Sequence, residues 1–405
     1  MKVMYFAFEG FDTLNGTNHL ALKIIDTFLK ENHKVYLLSS HSTGINADIP
    51  KILEKREGFS YDIVQRRKVS KTNFISRYLD GFTYALKGMR KWKKVHDLDI
   101  VILQSTPTVF FSAVSLKLFL KKPIIFNSYD VFPNGPFLMG VIKNRIIYSI
   151  LLSMQKVVYN CSSYIVVISE DMKKTFINMG INPKKLILIP NWYDDEKVKV
   201  IPKINNQFIQ KYNIDTSKFY IQYAGNFGFT FDYKLIIDIA LKLQNHNNII
   251  FQMIGSGGLE SEFKQAVNDA KINNIEFYPW QPSSIISDVY NAATIELIPL
   301  SKGVIFNSYP SKTSLLMACK KTFICITEKN SEFYKEINNN NIGFCFDYSE
   351  TDKIIDCIIN IAKNENILFD YEQSAYEYGK KYFSSQQNVI KYVTLCKQLK
   401  ENRNE

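Results

Sequence analysis

At 405 residues the chain is too long for one ordinary hydrophobic core, so we expect two domains of roughly 200 residues each. Its 46% hydrophobic and 14% aromatic content excludes a disordered chain. The six cysteines form no CxxC pair and predict reduced thiols of a cytosolic protein, not a metal centre or a disulfide framework. We expect no signal peptide, because the apolar run at the N-terminus is short and is followed by acidic residues. We expect no membrane span, because no apolar run approaches the required length of about 20 residues.

The positive charge of the chain lies in its first half. Residues 1–200 carry 29 Lys and Arg against 17 Asp and Glu, whereas residues 201–405 carry 21 against 22. The net charge of +11 therefore predicts an anionic partner for the N-terminal half.

The N-terminal half alternates short apolar segments with helical patterns. A strand candidate, a loop and an amphipathic helix open the chain, and this unit predicts a parallel, doubly wound α/β sheet. The strand candidates of this half are Lys2–Phe8, Val35–Ser39, Ile100–Gln104, Ile124–Asn127, Ile165–Ile168 and Leu186–Ile189.

A polar segment at 191–206 interrupts the alternation and predicts a linker after a first domain at 1–190. A second α/β series follows at 207–375, and helical patterns within 376–405 are expected to pack back on the first domain. Two such domains facing a cleft would bind ligands at the carboxyl ends of their strands. The strand candidates of the second series are Phe219–Ala224, Ile249–Ile254, Ile275–Tyr278, Thr294–Pro299, Thr322–Ile326 and Gly343–Phe346.

The interval from Arg66 to Lys94 combines ten Lys or Arg with one acid, Asp80, and with aromatic residues at largely helical spacing. This composition favours an amphipathic helix on an anionic membrane surface. A second apolar stretch, Ile146–Met154, lies between basic residues and has the same interpretation. The alternative is that both are buried helices with solvated basic faces. The residues assigned to the membrane or the acceptor are Arg66, Arg67, Lys68, Phe74, Lys87, Arg90, Lys91, Trp92, Lys93 and Lys94.

Glycine-containing turns follow several strand candidates. Two lie in the second series, at 225–228 and 255–258, and Asn15-Gly16 lies in the first. Glycine lets a backbone approach a phosphate closely, although a tight turn alone also needs glycine. None of these turns matches GxGxxG or a P-loop, which argues against a nicotinamide enzyme or a P-loop ATPase.

Within the stretch Ser301–Cys325, Pro310-Ser311-Lys312 directly precedes a helical run, Thr313–Cys319. The start of a helix offers unpaired N–H groups and the positive end of a dipole, and Lys312 adds a full charge. The combination predicts an anion site. An ordinary helix cap is the alternative.

Asp130 closely follows a buried strand, so we expect it to point into the cleft as a catalytic residue. The alternative is a turn aspartate ahead of Pro133. Asp97-Leu98-Asp99 has the DxD pattern with which some transferases bind a metal. It runs directly into a strand and favours a turn, and the histidines show no ligand spacing, so we predict no metal.

Together these segments resemble the retaining nucleotide-sugar glycosyltransferases of the GT-B fold, glycosyltransferase family four, in the branch of bacterial capsule, O-antigen and exopolysaccharide enzymes. The similarity covers nearly the whole chain. The segments that carry it are Asn15-Gly16, Asn32–Val35, Asp99–Ile102, Tyr129–Pro133, Tyr164–Ser169, Ile189–Asn191, Tyr223–Gly228, Ile254–Gly257 and Pro310–Lys312.

The resemblance implies two Rossmann-like domains, with Asp130 and Lys312 as catalytic residues. Many relatives carry two glutamates where this chain has Asn307 and Leu315, and an Arg/Lys pair where it has Asn226 and Phe231. Leu315 cannot accept a hydrogen bond from a ribose, and Lys312 is expected to take over the diphosphate. The donor-binding residues that the resemblance implies are Asn15, Gly16, Gly225, Asn226, Gly228, Gly255, Gly257, Trp280, Ser308, Pro310, Ser311 and Lys312.

The implied activity is transfer of a hexose or deoxyhexose from a nucleoside diphosphate sugar to a lipid-linked saccharide at the inner face of the cell membrane. The implied partners are these two molecules and an anionic membrane surface, with no nucleic acid, no cofactor and no metal. Two alternatives stay open. One is a non-catalytic sugar-nucleotide-binding scaffold, suggested by Leu315 and Phe231, and the other is a GT-B nucleotide-sugar epimerase.

Overall fold

The computed structural model describes residues 1–8, 10–11, 18–42, 51–66 and 74–402. The chain forms two compact units, one of residues 1–190 with 386–405 and the other of residues 191–385. The segment 191–206 and residues 376–385 lie in the second unit.

Each unit is built on one parallel sheet. The strands of the first unit are β1 (Lys2–Phe6), β2 (Lys34–Ser42), β3 (Phe59–Arg66), β4 (Ile100–Gln104), β5 (Ile124–Asn127), β6 (Tyr164–Val167) and β7 (Leu186–Leu188). Those of the second are β8 (Phe219–Asn226), β9 (Ile249–Ser256), β10 (Ile275–Tyr278), β11 (Ile295–Pro299), β12 (Phe323–Ile326) and β13 (Phe344–Phe346). The orders are β3-β2-β1-β4-β5-β6-β7 and β10-β9-β8-β11-β12-β13, which confirms the predicted pair of doubly wound sheets.

Helices connect these strands. Those before β8 are α1 (Asn18–Lys30), α2 (Lys51–Glu54), α3 (Phe74–Trp92), α4 (Phe110–Ser115, extended by a π-helical turn, Leu116–Leu120), α5 (Asn134–Leu138), α6 (Arg145–Cys161), α7 (Glu170–Asn178) and α8 (Gln207–Tyr212). Those after it are α9 (Tyr233–Leu243), α10 (Glu260–Asp269), α11 (Ile286–Ala292), α12 (Lys312–Ala318), α13 (Glu332–Asn339), α14 (Thr351–Lys363), α15 (Ile367–Tyr382) and α16 (Ser385–Glu401).

The sequence pattern does not predict β3 or α15. Strand β3 lies at the edge of its sheet, and of its eight residues only Val64 is buried, so no apolar run marks it. Helix α15 buries only Leu368, Ala375 and Gly379. β3 is held by backbone pairing with β2 along its whole length, and α15 packs against α12, so neither element depends on an apolar period that the sequence would reveal.

The strand order of the second sheet has a topological switch point, from which the connections after neighbouring strands run toward opposite edges of the sheet. β8 lies between β9 and β11, so the segments that follow β8 and β11 diverge at this place. Open α/β sheets bind ligands at the carboxyl ends of their strands at such a point. β8 ends at Asn226, and the chain after β11 leads into α12, which begins at Lys312. The fold therefore brings the ends of β8, β9 and β11 to one edge of the sheet.

Helix α16 is tied to the first sheet by two polar contacts. The Tyr392 hydroxyl donates to Asn127 Oδ1 at 2.8 Å, and Lys400 Nζ lies 3.1 Å from Asp99 Oδ2. Asp99 also accepts a hydrogen bond from the backbone N–H of Lys2 at 2.8 Å. Asp99, the second acid of the DxD pattern, thus connects the start of β1 with the end of α16.

Candidate functional site

Two glycine turns interlock at the carboxyl edge of the second sheet. Gly225 and Gly255 are register partners at the ends of β8 and β9. Gly255 has φ of +151°, a conformation that L side chains rarely adopt, and a Cβ there would overlap the carbonyl oxygen of Gly225. Gly257 has φ of +159°, and a Cβ there would overlap Asn226 and the Phe227 carbonyl. Glycine is therefore required at both positions for the two backbones to approach each other.

Backbone hydrogen bonds fix the same two turns. The Phe227 N–H donates to the Ser256 carbonyl at 2.9 Å, and the Leu259 N–H donates to the Phe227 carbonyl at 2.9 Å. Asn226 and Gly257 are exposed, and Gly225 is half-buried. A Cβ on Gly228 would lie 2.8 Å from the side-chain nitrogen of Asn226. The result is a narrow, solvent-accessible backbone edge with little side-chain bulk.

Lys312 reaches this edge from the start of α12. Its ammonium lies 3.3 Å from the centroid of the Tyr223 ring and 3.3 Å from where a Cβ on Gly225 would stand. The Nζ atom is buried and has no hydrogen-bond partner among the residues that the structure describes. Burial lowers the pKa of Lys312 to about 7, opposed by the carboxyl of Glu296 and the thiol of Cys325. An ammonium without a counterion beside two glycine turns is suited to bind an anion.

Side chains from the first turn of α12 stabilise the turn that precedes this helix. Thr313 Oγ1 donates to the Pro310 carbonyl at 2.7 Å, and Ser314 Oγ donates to the Ser311 carbonyl at 3.1 Å. Ser311 is exposed and makes no side-chain cap, while Ser308 and Pro310 are half-buried. The helix has only seven residues, so its dipole is short. The charge at this place comes mainly from Lys312.

Other predicted donor residues lie elsewhere on the second unit or outside the described ranges. Trp280 follows β10, and 55% of its surface is exposed. Leu315 is half-buried on α12. Asn15 and Gly16 lie outside the described residues, so their prediction stays untested.

Three buried polar or aromatic groups of the second unit had no site role assigned from the sequence. Glu296, the second residue of β11, is 0% exposed, and neither of its carboxylate oxygens has a partner among the described residues. The Oδ1 atom of Asn307 is also buried without a partner within those ranges, while its Nδ2 donates to the Gly303 carbonyl at 3.0 Å. Tyr223 supplies the ring under the ammonium. An acid in the middle of an apolar strand was the available signal for Glu296.

Asp130 belongs to the first unit. It lies just beyond β5 and its side chain is exposed, and its backbone carbonyl accepts a hydrogen bond from Ser128 Oγ at 2.9 Å. The exposed position leaves the carboxylate accessible to solvent. Its catalytic assignment stays a prediction.

Two residues of the basic interval are less accessible than the amphipathic pattern suggests. Trp92 is 1% exposed and packs in the core of the first unit. The Arg66 guanidinium pairs with Asp80 at 2.7 Å and lies 3.6 Å from the centroid of the Phe8 ring. Trp92 is therefore not part of an outer surface, and Arg66 has a structural role as an ion pair. Arg67 and Lys68 lie outside the described residues, as does the side chain of Phe74.

The remaining predicted basic residues, in the last turns of α3 and directly after it, lie on the solvent side. Lys87 Nζ donates to the Gln65 carbonyl at 3.0 Å, and Lys91 Nζ lies 3.0 Å from Asp62. Arg90 and Lys94 are exposed, and Lys93 Nζ lies 4.9 Å from the centroid of the Phe119 ring. The helix therefore keeps a cationic face beside β3, and Lys93 reaches the π-helical turn that follows α4.

An apolar helical face extends over three neighbouring helices of the first unit. Helix α4 contacts both α3 and α6. Helix α6 carries apolar side chains on its buried and on its exposed side: Leu151 and Val158 are buried, whereas Ile146 is 71% and Ile150 is 55% exposed. Exposed apolar side chains on these three helices are Leu79, Phe82, Leu86, Leu118, Phe119, Ile146, Ile147, Ile150 and Val157, and Leu138 and Val141 lie at the end of α5 and just after it, beside α6. This many exposed apolar side chains on neighbouring helices are typical of an interaction surface.

The described part of the chain holds no cluster of three or more His, Cys, Asp or Glu residues that could bind a metal ion. Among the described helices, none combines the length and apolarity that crossing a bilayer requires.

Comparison with known proteins agrees with this architecture. The model of Glycosyltransferase Family 4 matches residues 14–197, and that of Glycosyl transferases group 1 matches residues 205–382. The probable glycosyltransferase WbjE of Pseudomonas aeruginosa is 26% identical over 219 residues, which are 53% of this chain and 54% of that protein. The chain spans about half the length, or less, of the curated relatives it matches.

Two solved structures share the fold over almost their whole length. Sucrose-phosphate synthase of Thermosynechococcus elongatus is 10% identical, covers 98% of this chain and 99% of its own, and has a TM-score of 0.79. HepE of Anabaena, solved in complex with UDP-glucose, is 14% identical, covers 100% and 99%, and has a TM-score of 0.69. The family matches, together with the two Rossmann-like sheets, show that the chain belongs to the GT-B glycosyltransferases of family four.

Proposed function

We propose that the protein transfers a sugar from a nucleoside diphosphate sugar to a hydroxyl of a lipid-linked saccharide in the synthesis of a bacterial surface polysaccharide. The observation that carries this proposal is the buried, unpartnered ammonium of Lys312 beside the glycine turns of β8 and β9. A bound diphosphate would act as the counterion of this ammonium, and the glycine turns, which have no side chains, leave space for it. The binding of UDP-glucose by HepE, a protein of the same fold, supports a donor of this class.

The chemistry that the site supports is stabilisation of a leaving group. As the bond between the sugar and the diphosphate breaks, negative charge grows on the diphosphate, and Lys312 neutralises it. An interaction that strengthens with this charge lowers the barrier. In the retaining scheme the acceptor hydroxyl attacks from the face that the diphosphate leaves, and the diphosphate takes its proton. Asp130, in the first unit, would orient the acceptor hydroxyl.

Recognition of the rest of the donor requires other groups. Leu315 cannot hold a ribose hydroxyl, since it has no polar atom. We propose that the nucleobase of the donor stacks on the exposed ring of Trp280 beyond β10, because an aromatic ring can stack on any of the bases. The buried Oδ1 of Asn307 would accept a hydrogen bond from a sugar hydroxyl.

The membrane belongs to the proposal through the apolar helical face. Between Ile100 and Cys161 the sequence holds six Lys or Arg and a single acid, Asp130. Exposed members of this basic set, Lys143 and Arg145, directly precede the apolar side chains of α6. Cations beside exposed apolar side chains suit anionic headgroups and the acyl boundary beneath them. The protein would therefore act at the inner face of the cell membrane, where a lipid-linked acceptor is held.

A non-catalytic scaffold is a second candidate, favoured by Phe231. Its ring lies 4.2 Å from that of Tyr223 and 5.6 Å from that of Phe263, within the core of the second unit. Many relatives carry a cation at this position, so the site of this chain has one charge fewer for the diphosphate. A scaffold would bind the donor without transferring or hydrolysing it.

The test is a mass-spectrometric screen of UDP-, GDP- and dTDP-sugars with lipid-linked acceptors. A product with the mass of the extended acceptor supports the transferase. Donor binding by calorimetry without transfer or hydrolysis, across the whole panel, supports the scaffold. Absence of binding by every donor contradicts both.

A further inference from the structure

A small surface pocket lies between the edge strand β3 and helix α3 of the first unit. Its volume of about 200 Å³ is roughly six times the ~30 Å³ that a water molecule occupies in the liquid, so a phosphate group fits in it. Three of the residues that line it are cations, and none is an acid. The lining residues are Ile63, Val64, Gln65, Lys87, Arg90 and Lys91.

Helix geometry places the three cations of the pocket on one side of α3. Residues 87, 90 and 91 are three and four positions apart and are therefore neighbours on the helix surface. Lys87 Nζ donates to the Gln65 carbonyl at 3.0 Å, and Lys91 Nζ lies 3.0 Å from Asp62 Oδ1. Asp62 balances one of the three positive charges, so two remain for a ligand.

Arg90 is the cation of the pocket that is free to bind a ligand. It is exposed, and it makes no hydrogen bond or ion pair with any described residue. Its guanidinium presents a planar fork of N–H donors that matches two oxygens of one phosphate. The ammonium of Lys87 has three donors and uses one of them on Gln65. Arg90 and Lys87 can therefore bind one phosphate together.

Exposed apolar side chains of α3 favour a phospholipid as the source of that phosphate. Leu79, Phe82 and Leu86 are 60%, 44% and 42% exposed. Leu86 and Arg90 are four positions apart, so the apolar side chains and the cations are neighbours on the helix surface. A free phosphate ion would contact the cations alone, whereas a phospholipid also removes acyl carbons from water against the apolar side chains.

We propose that this pocket binds the phosphodiester of an anionic phospholipid, with Arg90 as its bidentate donor and with the acyl chains against Phe82 and Leu86. The inference rests on the proposed association with the membrane, but it does not require the transfer reaction. A single bound headgroup would fix which side of α3 faces the bilayer, which exposed apolar side chains alone do not specify.

The alternative role of these cations is protection of a sheet edge. β3 is the edge strand of its sheet, and lysines beside an edge hinder its pairing with another chain. In that case, loss of a cation should increase self-association and leave lipid binding unchanged.

The test titrates the full chain with dihexanoyl phosphatidylglycerol below the concentration at which this lipid forms micelles. Calorimetry should show saturable binding of a single lipid. Arg90→Gln should weaken the Kd by about fivefold or more, and Arg90→Lys, which keeps the charge but loses the fork, should weaken it less. The matched control Lys55→Gln removes the same charge from an exposed position of the first unit outside the pocket, and its Kd should stay within about twofold of wild type.

Further comparisons separate the possible outcomes. Dihexanoyl phosphatidylcholine should bind more weakly, because its choline cation is repelled by the pocket. Inorganic phosphate that binds as tightly as the short-chain phosphatidylglycerol would overturn the assignment to a lipid. Failure of wild type to bind phosphatidylglycerol overturns the inference, as does an Arg90→Gln variant that self-associates in sedimentation with the Kd of wild type. Thermal melting of Arg90→Gln should match wild type, since the side chain is exposed. Absence of donor binding in the sugar-nucleotide screen would contradict the transferase and leave this result unaffected.

Discussion

The ammonium of Lys312 lies 3.3 Å from the centroid of the Tyr223 ring, and no described residue offers it a hydrogen bond. Lys312 begins α12 and Tyr223 lies within β8, so the contact joins the segment that follows β11 to the last residues of β8. The negative face of the ring attracts the ammonium form of Lys312, although burial still lowers the pKa of this group to about 7. The contact positions the Lys312 nitrogen and leaves its hydrogen-bonding capacity for a ligand.

Tyr223 should contribute to donor binding through its ring, not its hydroxyl. The hydroxyl donates to the Asn226 carbonyl at 2.9 Å and does not contact the ammonium. Tyr223→Phe should therefore keep the Kd of the donor within about threefold, whereas Tyr223→Leu should weaken it by about fivefold to thirtyfold, the equivalent of ~1–2 kcal/mol for a desolvated cation–π contact. Calorimetric titration of both variants checks this. Equal losses in the two would assign the effect to the hydroxyl.

Gly255 should not tolerate a side chain. Its φ of +151° and the overlap of a Cβ with the Gly225 carbonyl would force the two turns apart. Gly255→Ala should lower the free energy of unfolding of the second unit by ~2 kcal/mol or more and abolish donor binding. The matched control is Gly258→Ala in the same turn, where nothing lies within 4 Å of the added Cβ. Chemical denaturation of the two variants should separate them, and equal stabilities would contradict the described turn geometry.

Burial of Lys312 should lower the free energy of unfolding of the second unit, and an apolar residue at this position should raise it again. The pKa of Lys312 is about 7 in the folded protein, against about 10.4 for an exposed lysine. Between about pH 7 and about pH 10.4, Lys312 binds more protons in the unfolded chain than in the folded protein. The contribution of this position to the free energy of unfolding therefore rises with pH. Lys312→Met should raise the Tm of the second unit by about 2–4 °C near pH 7, with a smaller gain near pH 9. Calorimetric melting at both pH values measures this, and a Tm below wild type at both would contradict it.

The apolar helical face should bind anionic bilayers through α6. Replacing Ile146 and Ile150 together by Glu removes two exposed apolar side chains and adds negative charge, so binding to vesicles containing phosphatidylglycerol should fall by at least about tenfold. The control is Ile204→Glu, which changes a side chain that is 82% exposed on the second unit. Sedimentation with vesicles at low and high salt measures the effect. Equal binding by the double variant and wild type would exclude this face.

Local patterns were sufficient for much of the fold. The strands β4, β5 and β10 have the predicted bounds, because each is an apolar run closed by polar or turn-forming residues. The edge strand β3 and helix α15 were not predicted, since they bury few side chains and their apolar residues show no clear strand or helix periodicity. Periodicity detects buried faces, and elements held at an edge show little of it.

For the site, the sequence indicated Lys312 and the glycines but not how they meet. The pairing of Gly225 with Gly255 depends on strand order, which local sequence does not specify. Tyr223 was read as a part of an apolar strand, and its ring acquires a role only because Lys312 folds over it. Glu296 could have been noticed as an acid within a buried strand, but its relation to Lys312 exists only in three dimensions.

The most direct test of the account compares transfer rates of wild type, Lys312→Ala and Lys335→Ala with the donor and acceptor that the screen identifies. Lys335 is a surface lysine paired with Glu332 at 2.8 Å, so its removal should leave kcat/KM unchanged. Lys312→Ala should lower kcat/KM by about 10²–10³, the equivalent of ~2–4 kcal/mol, by analogy with removal of one oxyanion donor. A Lys312→Ala variant with the kcat/KM of wild type would contradict the assignment of the donor diphosphate to this lysine.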